Sequence, residues 1–185
     1  MVGLSLLWLP ILLSAVVVFA VSALFWMVVR HHDADWKGLP GEESILDAMR
    51  KARVPRGQYW FPWAEARQMQ TPEMKKKMAE GPAGFVIYWD RYEVPMGRNM
   101  IFWFLYLVAI SVLVAYVAGL VLAPGAAASP VFRFVAVAAI LAYAGALVPR
   151  SIWWGQAWSA TWKEVFDGVV YGLATALVFA WLWPR

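Results

Sequence analysis

The fold turns on residues 4–29, LSLLWLPILLSAVVVFAVSALFWMVV, a run without a single charge. Coiled as an α-helix at ~1.5 Å per residue, it is about 39 Å long, more than the ~30 Å hydrocarbon core of a bilayer. A segment of that length spans with some tilt or leaves one end in the interface. Pro10, near its start, is where a bend is expected. Ala20-Val-Ser-Ala23 has the small residues of a signal-cleavage site. The start carries no Lys or Arg, however, and the run stays apolar past any such cut, so it reads as an uncleaved anchor.

Outward from this run the chain alternates between one polar block and three more apolar stretches. Residues 30–99 hold 12 of the 16 basic and 10 of the 12 acidic residues. Residues 100–122 are uncharged; 131–148 carry only Arg133, and 165–183 only Asp167, each near one end. About 17–25 apolar residues suffice to cross. An unpaired backbone amide in hydrocarbon costs several kcal/mol, so these runs are expected as helices. The roughly ten-residue alternation of a barrel is missing. The predicted fold class is an all-α membrane protein of four transmembrane helices, with a small α+β cytoplasmic insertion between helices 1 and 2.

Composition agrees. Hydrophobic residues make up 62% and charged ones 15%, against roughly 25% charged in soluble domains. That excludes a disordered chain, a nucleic-acid module and an ordinary soluble enzyme. The net charge of +4 suits an anionic leaflet, which attracts juxtamembrane Lys and Arg by on the order of 1 kcal/mol each. The chain has no Cys, which removes disulfides, thiolate metal sites and iron–sulfur clusters. Neither His lies inside an uninterrupted apolar run, which argues against haem in the bundle. No cofactor is expected.

The connections set the boundaries. Ser129-Pro130 reads as the cap and first residue of the third helix, and Pro149-Arg150 as its end. Thr161-Trp-Lys-Glu164 is a capping-box pattern opening the fourth. Many of the 13 Trp flank the spans, where an indole prefers the headgroup boundary. Arg30, Lys37, Arg91, Arg98, Arg150 and Lys163 fall on one side of the spans, against Arg133 and Arg185 on the other. That excess places residues 30–99 in the cytoplasm and both termini outside. Within the block, residues 42–52 form an amphipathic stripe and Thr71-Pro-Glu-Met opens a punctuated helix that stops at Gly81-Pro82. Gln58-Tyr-Trp-Phe61 and Gly84-Phe-Val-Ile-Tyr-Trp89 read as two short strands able to pair. A unit this small has little core, so it is expected against the bilayer or the helices.

Three groups of residues invite chemistry or packing. Asp167 is the deepest acid, one turn inside the predicted fourth helix, with Glu164 on the same side. A proton or ion relay through Asp167 and Glu164 is one reading, with Lys163, Arg150 or His31 as partner. The plainer one is an acid favoured by the positive end of a helix dipole. His31, His32, Asp33 and Asp35 form a weak candidate metal cluster, since His31 and Asp35 share a helical face. Adjacent His residues cannot both face one ion from a helix, and polar residues ending a span explain them as well. Ser111, Ala115 and Gly119, then Ala138, Ala142 and Ala146, then Gly168, Gly172 and Ala176 recur every four residues, as close helix packing requires. Lys75-Lys76-Lys77 reads as a solvated face, short of a lipid-binding cluster.

His32-x-x-Asp35, Lys37-Gly-Leu-Pro-Gly-Glu-Glu43, Gly57-Gln-Tyr, Thr71-Pro-Glu-Met74 and Lys163-Glu-Val-Phe-Asp-Gly168 together resemble an uncharacterised family of small bacterial multi-pass inner-membrane proteins. The family has no assigned activity, so the resemblance implies only a bacterial inner-membrane address. The leading expectation is a Trp-rich accessory or scaffold subunit without a catalytic site, meeting the bilayer and a protein partner or a second copy, and no nucleic acid. The alternatives are a small permease or proton/ion pathway, and a metal-dependent membrane enzyme at His31, His32 and Asp35.

Overall fold

A computed structural model of the chain describes residues 1–89, 91 and 95–185. Asp90 and residues 92–94, at the end of the polar block, lie outside the described residues. The helices are α1 (Trp8–Ala23), α2 (Glu42–Ala52), α3 (Pro72–Glu80), α4 (Met96–Val121), α5 (Ala128–Ala144), α6 (Val148–Trp154) and α7 (Trp158–Leu182), and the strands are β1 (Gly57–Phe61) and β2 (Gly84–Tyr88). Four helical segments, Trp8–Val29, Met96–Val121, Ala128–Trp154 and Trp158–Leu182, are long and apolar enough to cross a membrane. The chain divides into two compact units, one of residues 1–36 and 95–185, the other of residues 37–94.

In the first unit the four long segments run antiparallel. α5 and α7 make the most extensive helix pair, and α1 packs on both α7 and α4. Small residues explain the closeness of α5 and α7. A Cβ added at Gly172 would come within 2.5 Å of Ile140 Cγ1 and 2.8 Å of Ile140 N, and one at Gly168 within 2.9 Å of Ala144 Cβ. Gly168, Gly172 and Ala176 are therefore the seam of α7. The facing surface of α5 runs through Ala136, Ala139, Tyr143 and Ala144, all buried. Ala142 is exposed and Ala138 half-buried, and Ala146 is exposed beyond the end of α5, so the four-residue repeat of alanines is offset from the stripe that packs. Ser111 and Ala115 are fully buried on α4. Gly119 receives a different neighbour: the Val2 backbone, whose N–H donates to Gly119 O at 2.8 Å.

Several boundaries differ from the apolar runs, each for a local reason. Pro10 sits in the first turn of α1, where a missing amide breaks no hydrogen bond. Pro149 opens α6 instead of ending α5; the break falls at 145–147, and α6 then ends on Gly155 in the left-handed region (φ 68°). α7 begins at Trp158, ahead of the Thr161 capping pattern. Thr161 is thus interior and shares a 2.6 Å hydrogen bond with Ser151, pinning α6 to α7.

In the second unit, α2 and α3 have the ranges the stripe and the Thr71 punctuation predict; the Met74 amide donates to Thr71 Oγ1 at 3.3 Å. β1 and β2 pair antiparallel, Gly57 opposite Tyr88 and Phe61 opposite Gly84. No described residue in these four elements is fully buried, as expected of a unit with too little apolar interior to close over.

Candidate functional site: a buried His–His–Asp cluster

The end of α1 builds the site. The six residues that continue it, Leu24–Val29, widen to π-helical geometry, and Arg30 then adopts the left-handed region at φ 53°, its amide bonded to Phe25 O at 2.9 Å. For a non-glycine residue this conformation costs roughly 1–2 kcal/mol. It turns the chain sharply, so His31 and His32 lie on a turn and escape the helical geometry that would point them apart. Two further turns follow, from Asp33 N to Arg30 O and from Asp35 N to His32 O, at 3.1 and 2.9 Å.

Both imidazoles then reach Asp167. His31 Nε2 lies 3.0 Å from Asp167 Oδ1, and His32 Nε2 lies 3.1 Å from Asp167 Oδ2. Because α7 starts at Trp158, Asp167 stands about two and a half turns inside it at 3.6 residues per turn, beyond the first turn where the helix dipole favours an acid. The Asp167 side chain is only 5% exposed and that of His32 4%, so the charge is compensated by its neighbours and not by bulk water. The Tyr171 hydroxyl, one turn on, points at Oδ2 from 3.5 Å.

A second layer holds the first. His32 Nδ1 donates to Asp35 Oδ2 at 2.8 Å. Lys163 Nζ donates to Asp35 Oδ1 and to the His31 carbonyl, both at 2.7 Å. The Lys163 ammonium holds the Asp35 carboxyl below its ordinary range against the opposing effect of burial, and the His32 hydrogen bond adds to the lowering. Trp26 stacks on His32 with rings 4.2 Å apart and 15° from parallel, and Phe25 meets His31 edge-on.

This arrangement constrains the protons. An ionised Asp35 only accepts, so the proton on His32 Nδ1 is spoken for. His32 Nε2 then faces a second carboxylate with its lone pair, or with a second proton. The contact is attractive only with a cation, H⁺ or a metal ion, on that side. The coordinating atoms of His31, His32 and Asp167 all lie within 4.8 Å of one another. Ligands bound at ~2.1 Å stand about 3.0 Å apart at right angles and about 3.4 Å apart at a tetrahedral centre, close to the 3.0 and 3.1 Å between each imidazole and Asp167. An Asp-held imidazole is also the usual outer support of a metal-bound His.

The remaining sequence candidates fall elsewhere. Asp33 pairs with Arg30 at 2.8 Å, both more than half exposed, and stays out of the cluster. Glu164 pairs with Arg150 at 3.0 Å and does not touch Asp167. Of the partners considered for Asp167, His31 reaches it, whereas Lys163 and Arg150 are committed to Asp35 and Glu164. His32 as a direct partner, and the Asp35–Lys163 brace, had no local signal. The one clue was that polar residues flank the first and last spans on the same side. Beside the cluster lies a cavity of about 290 Å³, bordered by His32, Asp167, Glu164, Trp26, Tyr143 and Tyr171. No family model, curated protein or solved structure matches this chain.

Proposed function

We propose that this chain is a multi-pass membrane protein that binds one divalent first-row transition cation between His31, His32 and Asp167 and uses it in a metal-dependent activity at the membrane. The observation that carries the reading is the pair of imidazole nitrogens 3.0 and 3.1 Å from the two oxygens of one buried carboxylate, with Asp35 behind His32. Two imidazoles and a carboxylate are a donor set for Zn²⁺, Fe²⁺ or Mn²⁺; Ca²⁺ and Mg²⁺ want oxygen alone, and Cu⁺ wants sulfur. Three protein ligands leave coordination positions open, the pattern of reactive sites as opposed to structural ones. His32 and Asp167 both border the neighbouring cavity, which gives those positions somewhere to face.

Four long apolar segments support a lipid setting, and the excess of Lys and Arg supports a cytoplasmic position for the cluster's end of the bundle. The resemblance to small bacterial inner-membrane proteins suggests which membrane. Two other readings account for less. An accessory subunit needs no buried charge cluster. A proton path through Asp167 would have to continue past Tyr171, Ser111 and Ser14 into a bundle end packed with Leu7, Val131 and Phe179, all fully buried.

The test is metal analysis of the full chain purified in detergent, after equilibration with Zn²⁺, Fe²⁺, Mn²⁺ or Co²⁺. One tightly held ion per chain, lost in His31→Ala and in His32→Ala, is expected. Native protein that retains none of the four ions would end the proposal.

A further inference from the structure

A divalent ion between His31, His32 and Asp167 leaves a charge imbalance. The charges around the cluster pair off: Asp35 with Lys163 at 2.7 Å, Glu164 with Arg150 at 3.0 Å and Arg30 with Asp33 at 2.8 Å. Imidazoles bind a metal as neutral ligands. Asp167 cancels one of the ion's two charges, so the filled site keeps one net positive charge beside two buried side chains, His32 and Asp167. Away from water that charge draws a counter-charge. The partner it favours at an open coordination position is an oxygen that carries or develops negative charge.

Beside the cavity that His32 and Asp167 border runs a groove of about 550 Å³ between the end of α1 and the start of α4. The two spaces share Trp26 and Trp103 as walls. Every wall of the groove belongs to one of two candidate spans, Trp8–Val29 or Met96–Val121. Trp26, Met27 and Met96 are each more than half exposed, so the groove opens outward, toward the lipid of a bilayer. Its walls select a slender apolar chain. The Ser22 hydroxyl is spent, donating to Phe19 O at 2.8 Å and accepting from Trp103 Nε1 at 3.0 Å. An extended peptide would therefore leave amides unpaired there, at several kcal/mol each. From Phe19 to Met27 the groove is about 10–12 Å long, so its mean cross-section is about 50 Å², against roughly 80 Å² or more for a helix. Benzene's six carbons fit a cavity of about 150 Å³, so a chain of about ten carbons or more has room. The walls contributed by Met27, Met96 and Met100 adapt to such a chain.

We infer, resting on the reading that the cluster holds a cation, that the substrate of the site is a fatty-acyl compound drawn from the bilayer. Its hydrocarbon chain lies in the groove between α1 and α4, and its acyl oxygen takes an open position on the cation. The oxygen supplies the counter-charge the site lacks, and the chain fills a space with no polar group to offer. A phosphate head, at about −1.5 to −2, exceeds the single charge available and meets Glu164 on the cavity wall. A cationic head is repelled.

The experiment uses the Co²⁺-loaded full chain in phosphatidylcholine nanodiscs and follows the Co²⁺ absorption spectrum during titration with dodecanoate. Acetate has the same head without the chain; dodecyl phosphate and dodecyltrimethylammonium have the chain with a different head. Dodecanoate should change the spectrum saturably, at one per chain. Ala23→Trp and Met100→Trp each fill the groove. They should weaken the dodecanoate response about tenfold or more, because seating the chain makes head binding intramolecular. The Co²⁺ spectrum and the acetate response should stay as in the native chain, which also reports that a variant folds; either variant alone suffices. Dodecyltrimethylammonium should leave the spectrum unchanged and dodecyl phosphate should bind more weakly than dodecanoate. A dodecanoate response undiminished in a folded Trp variant, a response to the ammonium probe, or preference for the phosphate would overturn the inference. A native chain with no Co²⁺ spectrum sinks the metal reading and this inference with it. A Co²⁺ spectrum that answers acetate and ignores dodecanoate sinks this inference alone.

Discussion

Asp167→Asn removes one charge from the centre of the cluster and leaves its shape. The carboxylate faces both imidazoles, at 3.0 and 3.1 Å, so an amide in its place can accept from one ring and not bind a cation with the other oxygen's charge. Loss of an outer support of a metal-bound His weakens metal typically 10–100-fold. Loss of a ligand itself should exceed that, by more than about 100-fold, or about 2.7 kcal/mol at ~1.36 kcal/mol per decade. The consequence is visible in stability. A cation present at about 100 times its Kd stabilises a folded chain by about 2.7 kcal/mol. For a chain of this length that is roughly 5–10 °C in Tm. Thermal unfolding of the detergent-solubilised protein with and without Co²⁺, together with the Co²⁺ absorption spectrum, is the assay. The native chain should shift upward by that amount and Asp167→Asn should not shift. A variant that keeps both the shift and the spectrum would refute the reasoning, since the carboxylate would then be no ligand.

Other outcomes follow from the same geometry. Asp35→Ala frees His32 Nδ1 and removes the partner of Lys163, so Co²⁺ affinity should fall about 10–100-fold while the ligand set survives; an unchanged titration would separate Asp35 from the site. Asp33→Ala breaks only an exposed pair with Arg30, and metal affinity and Tm should stay as they were, with stability altered by less than about 1 kcal/mol. Gly172→Val drives a side chain into the Ile140 backbone; overpacking of this kind costs typically about 1–3 kcal/mol, which a lowered Tm in detergent would register.

The second unit shows how much a local signal can carry. The Thr71 cap, Pro72 and Gly81 define α3 at both ends because each acts on backbone groups within one turn of itself. The stripe of Ile45, Leu46 and Met49 likewise marks α2. Span boundaries were less legible. Hydropathy marks where lipid is tolerated, not where helix hydrogen bonding starts, so α7 runs back through Ser159 and Lys163 to Trp158, and Asp167 ends up deeper than its distance from the apolar edge implies. The alanines of α5 show the related limit: a period of four names a stripe, and only the partner helix selects which stripe is used.

The oily runs, their number, the polar block and its small helices and strands are dictated by residues near one another along the chain, through burial of apolar surface and obligatory backbone pairing. The His31–His32–Asp167 convergence is of another kind. It joins residues more than 130 positions apart, and needs a left-handed Arg30 to turn both imidazoles the same way and a glycine seam to fix α7 against its neighbours. Neither a backbone torsion at one non-glycine residue nor the rotation of one helix about its axis is encoded by composition or period. Both emerge only when the packed helices leave a single arrangement in which a buried carboxylate meets two imidazoles.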